Sequence, residues 1–194
     1  MLVSISCLLA GAASALKAQS TDSALWKVFL TRPSEATYEP LSKAIQACVA
    51  MKCSDEALAG EKDNFADFYR LLSLAERGNP FAMELGFQIR PLYKNIVAPS
   101  EDLDNSLGLS STREPTFFLR LVRKYKVSTF ELQYLVVQTS QAAIDHPGRR
   151  RKELRRRIRS FSKVADPSLV PLRQKAISII EQDIKQFWSS PGDP

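Results

Sequence analysis

Apolar residues recur along most of this chain at spacings of three and four, the period of an amphipathic helix. After Asp63 they fall at Phe65, Phe68, Leu72 and Ala75, and Gly78 stands where a helix C′ glycine is expected. Asn79-Pro80 follows at once, an N-cap with proline at the first helical position, where its missing N–H is not needed. The next stripe is Phe81, Leu85 and Ile89, with Pro91 ending the helix or lying near its end. Ser100 reads as the cap of a segment carrying Leu103 and Leu107, which Gly108 ends. Pro115 opens "PTFFLRLVRKY", with Phe117, Phe118, Leu121, Val122 and Tyr125 expected inward.

Ser128 and Glu131 form a capping-box pattern, flanked by Val127 and Leu132 at the positions of a hydrophobic staple. Leu135, Val136 and Ala143 carry that helix towards Asp145, and "DHPG" breaks it. A last helix starts between Pro167 and Pro171 and bears Ile177, Ile180, Ile184 and Trp188, with Glu181 and Lys185 as a favourable i, i+4 pair. Two earlier helical segments, 24–30 and 41–50, are separated by "TRPSEATYEP". Alternating runs are brief and Asn-Gly or Asp-Gly hairpin turns are absent, so no strand is predicted. The expected fold is all-α: a compact multi-helix bundle, or a short HEAT-like superhelix of antiparallel pairs suggested by the recurrence of "FYRLLSLA" and "FFLRLVRKY".

The stretches "GNPFAMELGF", "EDLDNSLG" and "PTFFLRLV" together resemble a pattern found in uncharacterised, exported, all-helical bacterial proteins. The resemblance covers capping and core positions, and it implies a helical fold and export, with no activity attached.

Composition adds little to that picture until the charge is located. With 44% hydrophobic and 25% charged residues the 194-residue chain is an ordinary globular protein, and only 7 glycines leave helices favoured. Its net +6 is concentrated: residues 149–163 hold nine Arg or Lys against Glu153, a local +8, so the remainder sums to −2. Leu154, Ile158, Phe161 and Ala165 lie on one narrow helical face of this stretch, "RRRKELRRRIRSF" and its continuation. The prediction is a helix docked by that face, with its cationic groups fanned into water.

The first eighteen residues read as a secretory signal: apolar from Leu2 to Ala15, without an acid, too short to span a bilayer comfortably. Ala13-Ser14-Ala15 satisfies the small-x-small rule, and cleavage after Ala18 is the second choice, although the n-region lacks Lys and Arg. The expected organisation is therefore a signal over 1–18, one helical domain over 19–188, a tail over 189–194, and a periplasmic or secreted mature protein without a transmembrane segment. Removing Cys7 with the leader leaves Cys48 and Cys53, a close pair that an oxidising compartment would bridge. Residues five apart on an unbroken helix face differently, so the bridge needs the helix to end near Met51. Two reduced thiols are the other reading.

Catalytic patterns are thin. His146 is the single histidine and sits in the "DHPG" breaker, where it reads as a turn residue and not a base; one His cannot build a zinc site, and no His-containing triad is possible without it. Asp102, Asp104 and Ser106 invite a calcium loop, but Leu107 and Arg113 stand where an EF-hand needs Gly and Glu. A Glu101–Asp104 carboxylate pair for acid–base work is possible in type, though nothing selects it. No cofactor is implied. The reading is an interaction protein, an adaptor or an immunity-type inhibitor, contacting the acidic surface of a protein partner through Arg149, Arg150, Arg151, Arg155, Arg156 and Arg159. The alternative gives the same strip to anionic lipid or envelope polysaccharide. Nucleic acid lacks a reading motif here, and export removes it as a partner.

Overall fold

The structure, a computed structural model, describes residues 24–51, 66–93 and 97–188. Among them every regular element is helical and no strand forms, so the protein is all-α. The leader, Cys53, Asp63, Phe65 and the tail over 189–194 lie outside the described residues. Packing divides the chain into two compact units, with the boundary between Leu71 and Leu72.

In the first unit, α1 (residues 24–31) buries Trp26, Phe29 and Leu30. Helix α2 (Glu35–Met51) buries Leu41, Ile45 and Cys48, an i, i+4, i+7 stripe. Helix α3 (Ala66–Glu76) contains the unit boundary and buries Phe68, Leu71, Leu72 and Ala75.

The end of α3 follows the sequence signal closely. Gly78 takes φ +86°, its N–H reaches the Ala75 carbonyl at 2.8 Å and the Asn79 N–H reaches that of Leu74 at 3.1 Å. These are the paired bonds of a Schellman cap. Asn79 then starts α4 (Pro80–Tyr93), its Oδ1 accepting from the Ala82 N–H at 2.9 Å. One residue thus closes a helix with its backbone and opens the next with its side chain.

Helix α4 is buried on nearly every side: Ala82, Met83, Leu85, Gly86, Phe87, Gln88, Ile89 and Tyr93 are all inside. The stripe Phe81, Leu85, Ile89 captures only part of this, and Phe81 itself is half-buried. Around α4 stand α5 (Val97–Arg113), α6 (Pro115–Lys124), α7 (Thr129–Val137), the single turn α8 (Gln141–Ile144), α9 (Pro147–Ser162), a 3₁₀ turn (Pro167–Leu169) and α10 (Val170–Trp188). Helix α5 packs on α4, α6, α7 and α9, and α10 returns to α7 and α9, so the second unit is a bundle. Phe118 on α6 meets Phe87 of α4 at 5.8 Å and Phe161 of α9 at 6.1 Å, an aromatic line through its core.

Two expectations for α5 are corrected. The helix begins at Val97, so Ser100 lies within its first turn and donates to the Val97 carbonyl instead of capping. Gly108 does not end it. It is buried in mid-helix, where an added Cβ would overlap the carbonyl oxygen of Leu135 on α7. Glycine is there because two helix backbones pass too close for a methyl group. Ser110 and Ser111, also buried, return their hydroxyls to their own helix, to Leu107 and Gly108 carbonyls at 2.6 and 2.5 Å.

The capping box at Ser128 is complete: its Oγ accepts from the Glu131 N–H, and Glu131 accepts from the Ser128 N–H at 2.9 Å. Helix α7 ends at Val137, earlier than its apolar pattern suggests, and Gln138–Ser140 form a non-helical break before α8.

Candidate functional site

The basic stretch forms α9, with Pro147 at its first position and His146 exposed at its N-cap without a side-chain capping bond. Leu154 and Phe161 are fully buried, as their spacing predicts; Ile158 is half-buried. Ala165 departs from expectation: α9 stops at Ser162, and Ala165 is exposed in the following turn, where Val164 is buried in its stead.

The cationic side chains do not all fan into solvent. Arg149, Lys152, Arg155, Arg156, Arg159 and Lys163 are exposed. Arg149, Lys152, Arg156, Arg159 and Lys163 follow the i, i+3, i+7, i+10, i+14 spacing of a single face, with Arg155 beside them. No ion pair engages these six among the described residues. Arg150 is different: half-buried, its Nη2 bonds the Asp183 carboxylate on α10 at 2.9 and 3.2 Å and ties two helices together. Arg151 is half-buried too. Of the six arginines named as contacts, four stand on the open face and two are turned towards the bundle.

Arg157, absent from that set, is the largest fully buried side chain among the described residues, at 1% exposure. It sits three residues after Leu154 and four before Phe161, on the inward stripe. Its Nη1 donates to the carbonyls of Val136 and Gln138 at 2.7 and 2.5 Å, and its Nε to the Thr112 hydroxyl at 3.1 Å. The end of α7 thereby gains donors for carbonyls that no intrahelical N–H meets. Desolvation pushes the guanidinium pKa down to about 10, with nearby Glu153 opposing the shift. Glu153 in turn accepts from the Ser140 N–H at 2.8 Å and hydroxyl at 2.5 Å, fixing the break between α7 and α8. Thus α9 is pinned by Arg150, Glu153 and Arg157 while its opposite face stays open.

A separate groove of about 550 Å³ lies between α4, α5 and α7, walled by Phe87, Tyr125, Phe130 and Tyr134. It gathers Glu101 and Asp104 but neither Asp102 nor His146. Asp104 is held by Arg90 in a two-point pair, Nε–Oδ1 2.8 Å and Nη2–Oδ2 3.2 Å, with Glu131 4.0 Å from the same guanidinium. A carboxylate clamped this way is a structural anion. Asp102, Asp104 and Ser106 lie on helix α5, not in a loop, and Ser106 donates to Glu76 at 2.8 Å. Among the described residues no group of three metal-ligating side chains forms. Cys48 is buried on α2; a bridge to Cys53 involves a residue outside the described set.

Fold and site together define an all-α protein with one rigidly held cationic helix face. Comparison with protein-family models, curated proteins and solved structures finds no match, so the face must be interpreted from its own chemistry. No helix among the described residues is long and apolar enough to cross a membrane.

Proposed function

We propose that this is an exported interaction protein, an adaptor or immunity-type inhibitor, that docks the acidic surface of a partner protein with the open face of α9. The observation that carries the reading is the six-residue stripe Arg149, Lys152, Arg155, Arg156, Arg159 and Lys163, exposed and without a counter-ion among the described residues. Like charges crowded on one helix repel each other, and an anionic surface relieves that cost. The inward anchors Arg150, Glu153 and Arg157 hold the stripe in a fixed geometry, so little order has to be gained on docking.

Anionic lipid or envelope polysaccharide is the competing partner for the same stripe. Shallow insertion into lipid needs large apolar residues beside the charges. Leu154 and Phe161 are wholly buried, and Ile158 is half-buried, which favours a protein partner. Export rests on the leader over 1–18, and the test of the stripe is independent of it. Capture of partners by the full chain and by R155E/R156E at low and moderate salt separates the readings. Loss of a specific protein on charge reversal, with retention at moderate salt, supports the proposal. Capture unchanged by R155E/R156E defeats it, and steep loss with salt assigns the stripe to lipid or polymer.

A further inference from the structure

The bond inventory of Arg157 is incomplete. A guanidinium carries five N–H groups, and here Nε and Nη1 direct theirs to Thr112, Val136 and Gln138. Nη2 donates to no described residue and is not sealed from water, and no carboxylate among the described residues pairs with the group at contact distance. Arg157 also lines a cavity of about 150 Å³, together with Thr112, Arg113, Ser140, Glu153 and Arg156. Three guanidiniums against one carboxylate give this small space a net charge of +2. That carboxylate is already engaged, since Glu153 accepts two bonds from Ser140. Arg113 and Arg156 are exposed, at the rim, and neither has an ion pair among the described residues.

We infer that this cavity is a binding site for a phosphate-type oxyanion, with the buried Arg157 as its floor and Arg113 and Arg156 closing over it. Guanidinium forks match the oxygens of phosphate, and a dianion balances the local +2. The cavity suits a single phosphoryl group and is too small for a whole nucleotide. Arg113 ends α5, whose terminal carbonyls oppose an anion by about half a charge, less than three guanidiniums supply. The lowered pKa of Arg157 has the same origin: a desolvated cation without a contact counter-ion, which a bound anion would provide. The site stands on this geometry whether or not the open stripe of α9 meets a macromolecule.

Free phosphate and a lipid phosphomonoester present the same chemistry. The test titrates the full chain with inorganic phosphate at fixed ionic strength, followed by calorimetry and ³¹P line width. Wild type is compared with R113Q and R156Q at the rim and with R149Q, a stripe residue away from the cavity. Saturable binding weakened about tenfold by R113Q and by R156Q, and unchanged by R149Q, supports the site. Absence of saturable binding overturns it, as does equal weakening by R149Q, which would mean diffuse attraction to the stripe. A second arm uses phosphatidylcholine vesicles carrying phosphatidic acid or phosphatidylglycerol. Preference for phosphatidic acid that R113Q removes identifies a lipid source; saturable phosphate binding without that preference identifies a soluble one.

Discussion

Arg157 on α9 closes the end of α7 through Gln138: its Nη1 lies 2.5 Å from the Gln138 carbonyl oxygen and 2.7 Å from that of Val136. The pair explains how a helix as basic as α9 can be structural and functional at once. Its inward cation holds backbone carbonyls through Nη1, and its outward cations face the solvent.

Substitution of Arg157 by Met keeps the volume approximately and removes every donor. Each carbonyl left buried without a partner costs about 1–3 kcal/mol. R157M is expected to lower unfolding free energy in urea by that amount or more, whereas R155Q and R159Q, on the open face, change it by no more than about 0.5 kcal/mol. Equal, small effects at all three positions would contradict the inward role of Arg157.

Gly108 predicts the opposite kind of failure. G108A places a methyl group against the Leu135 carbonyl, where backbone rather than a flexible side chain must move. Overpacking of this kind costs about 1–3 kcal/mol. Since alanine otherwise favours helix over glycine, a stabilised G108A would show that α5 and α7 do not approach as described.

Lys126 stands in the left-handed region at φ +50°, at the C′ position of α6, with its N–H on the Arg123 carbonyl and that of Val127 on Val122. This Schellman cap is built on a residue that carries a Cβ penalty of about 1–2 kcal/mol in that conformation. K126G is expected to raise the denaturation midpoint, and the gain, measured in urea, should be about 1 kcal/mol. A loss would mean that the lysine side chain contributes more than the strain it imposes.

Asp166 carries a pH signature. Hydrogen bonds from Ser168, and then from Arg120 at 3.2 Å, hold its carboxyl below the ordinary value of 3.8. A depressed folded pKa gives stability that is present above the unfolded pKa and is lost as pH falls through the folded one. D166N, which keeps a capping oxygen, should therefore be less stable than wild type at neutral pH, with the difference shrinking below pH 3.8. A difference constant from neutral to acid pH would exclude this linkage.

The local rules were readable because their residue types act within four positions. Gly78, the Asn79-Pro80 start, the Ser128–Glu131 box and the buried pair Leu154 and Phe161 all behave as their spacing indicates. Gly108 was misleading because a glycine that ends a helix and one that admits a neighbouring backbone look alike in sequence. Arg157 was hidden among eight other basic residues, although its register between Leu154 and Phe161 pointed inward. What no local pattern supplies is its acceptors: Thr112 on α5, Val136 near the end of α7 and Gln138 just beyond it lie 45, 21 and 19 residues away. The burial of α4 on nearly every side was obscured similarly, since a stripe search finds one apolar face and misses the others.

The stripe itself is tested most directly by site-specific photo-crosslinking in the producing cell. A photoreactive residue replaces Lys152 on the open face of α9 or, as a control, the exposed Gln174 on α10. The account predicts an adduct with an acidic protein from position 152, none from 174, and its loss in an R155E/R156E background. Adducts that persist after charge reversal, or arise equally from both positions, would contradict it.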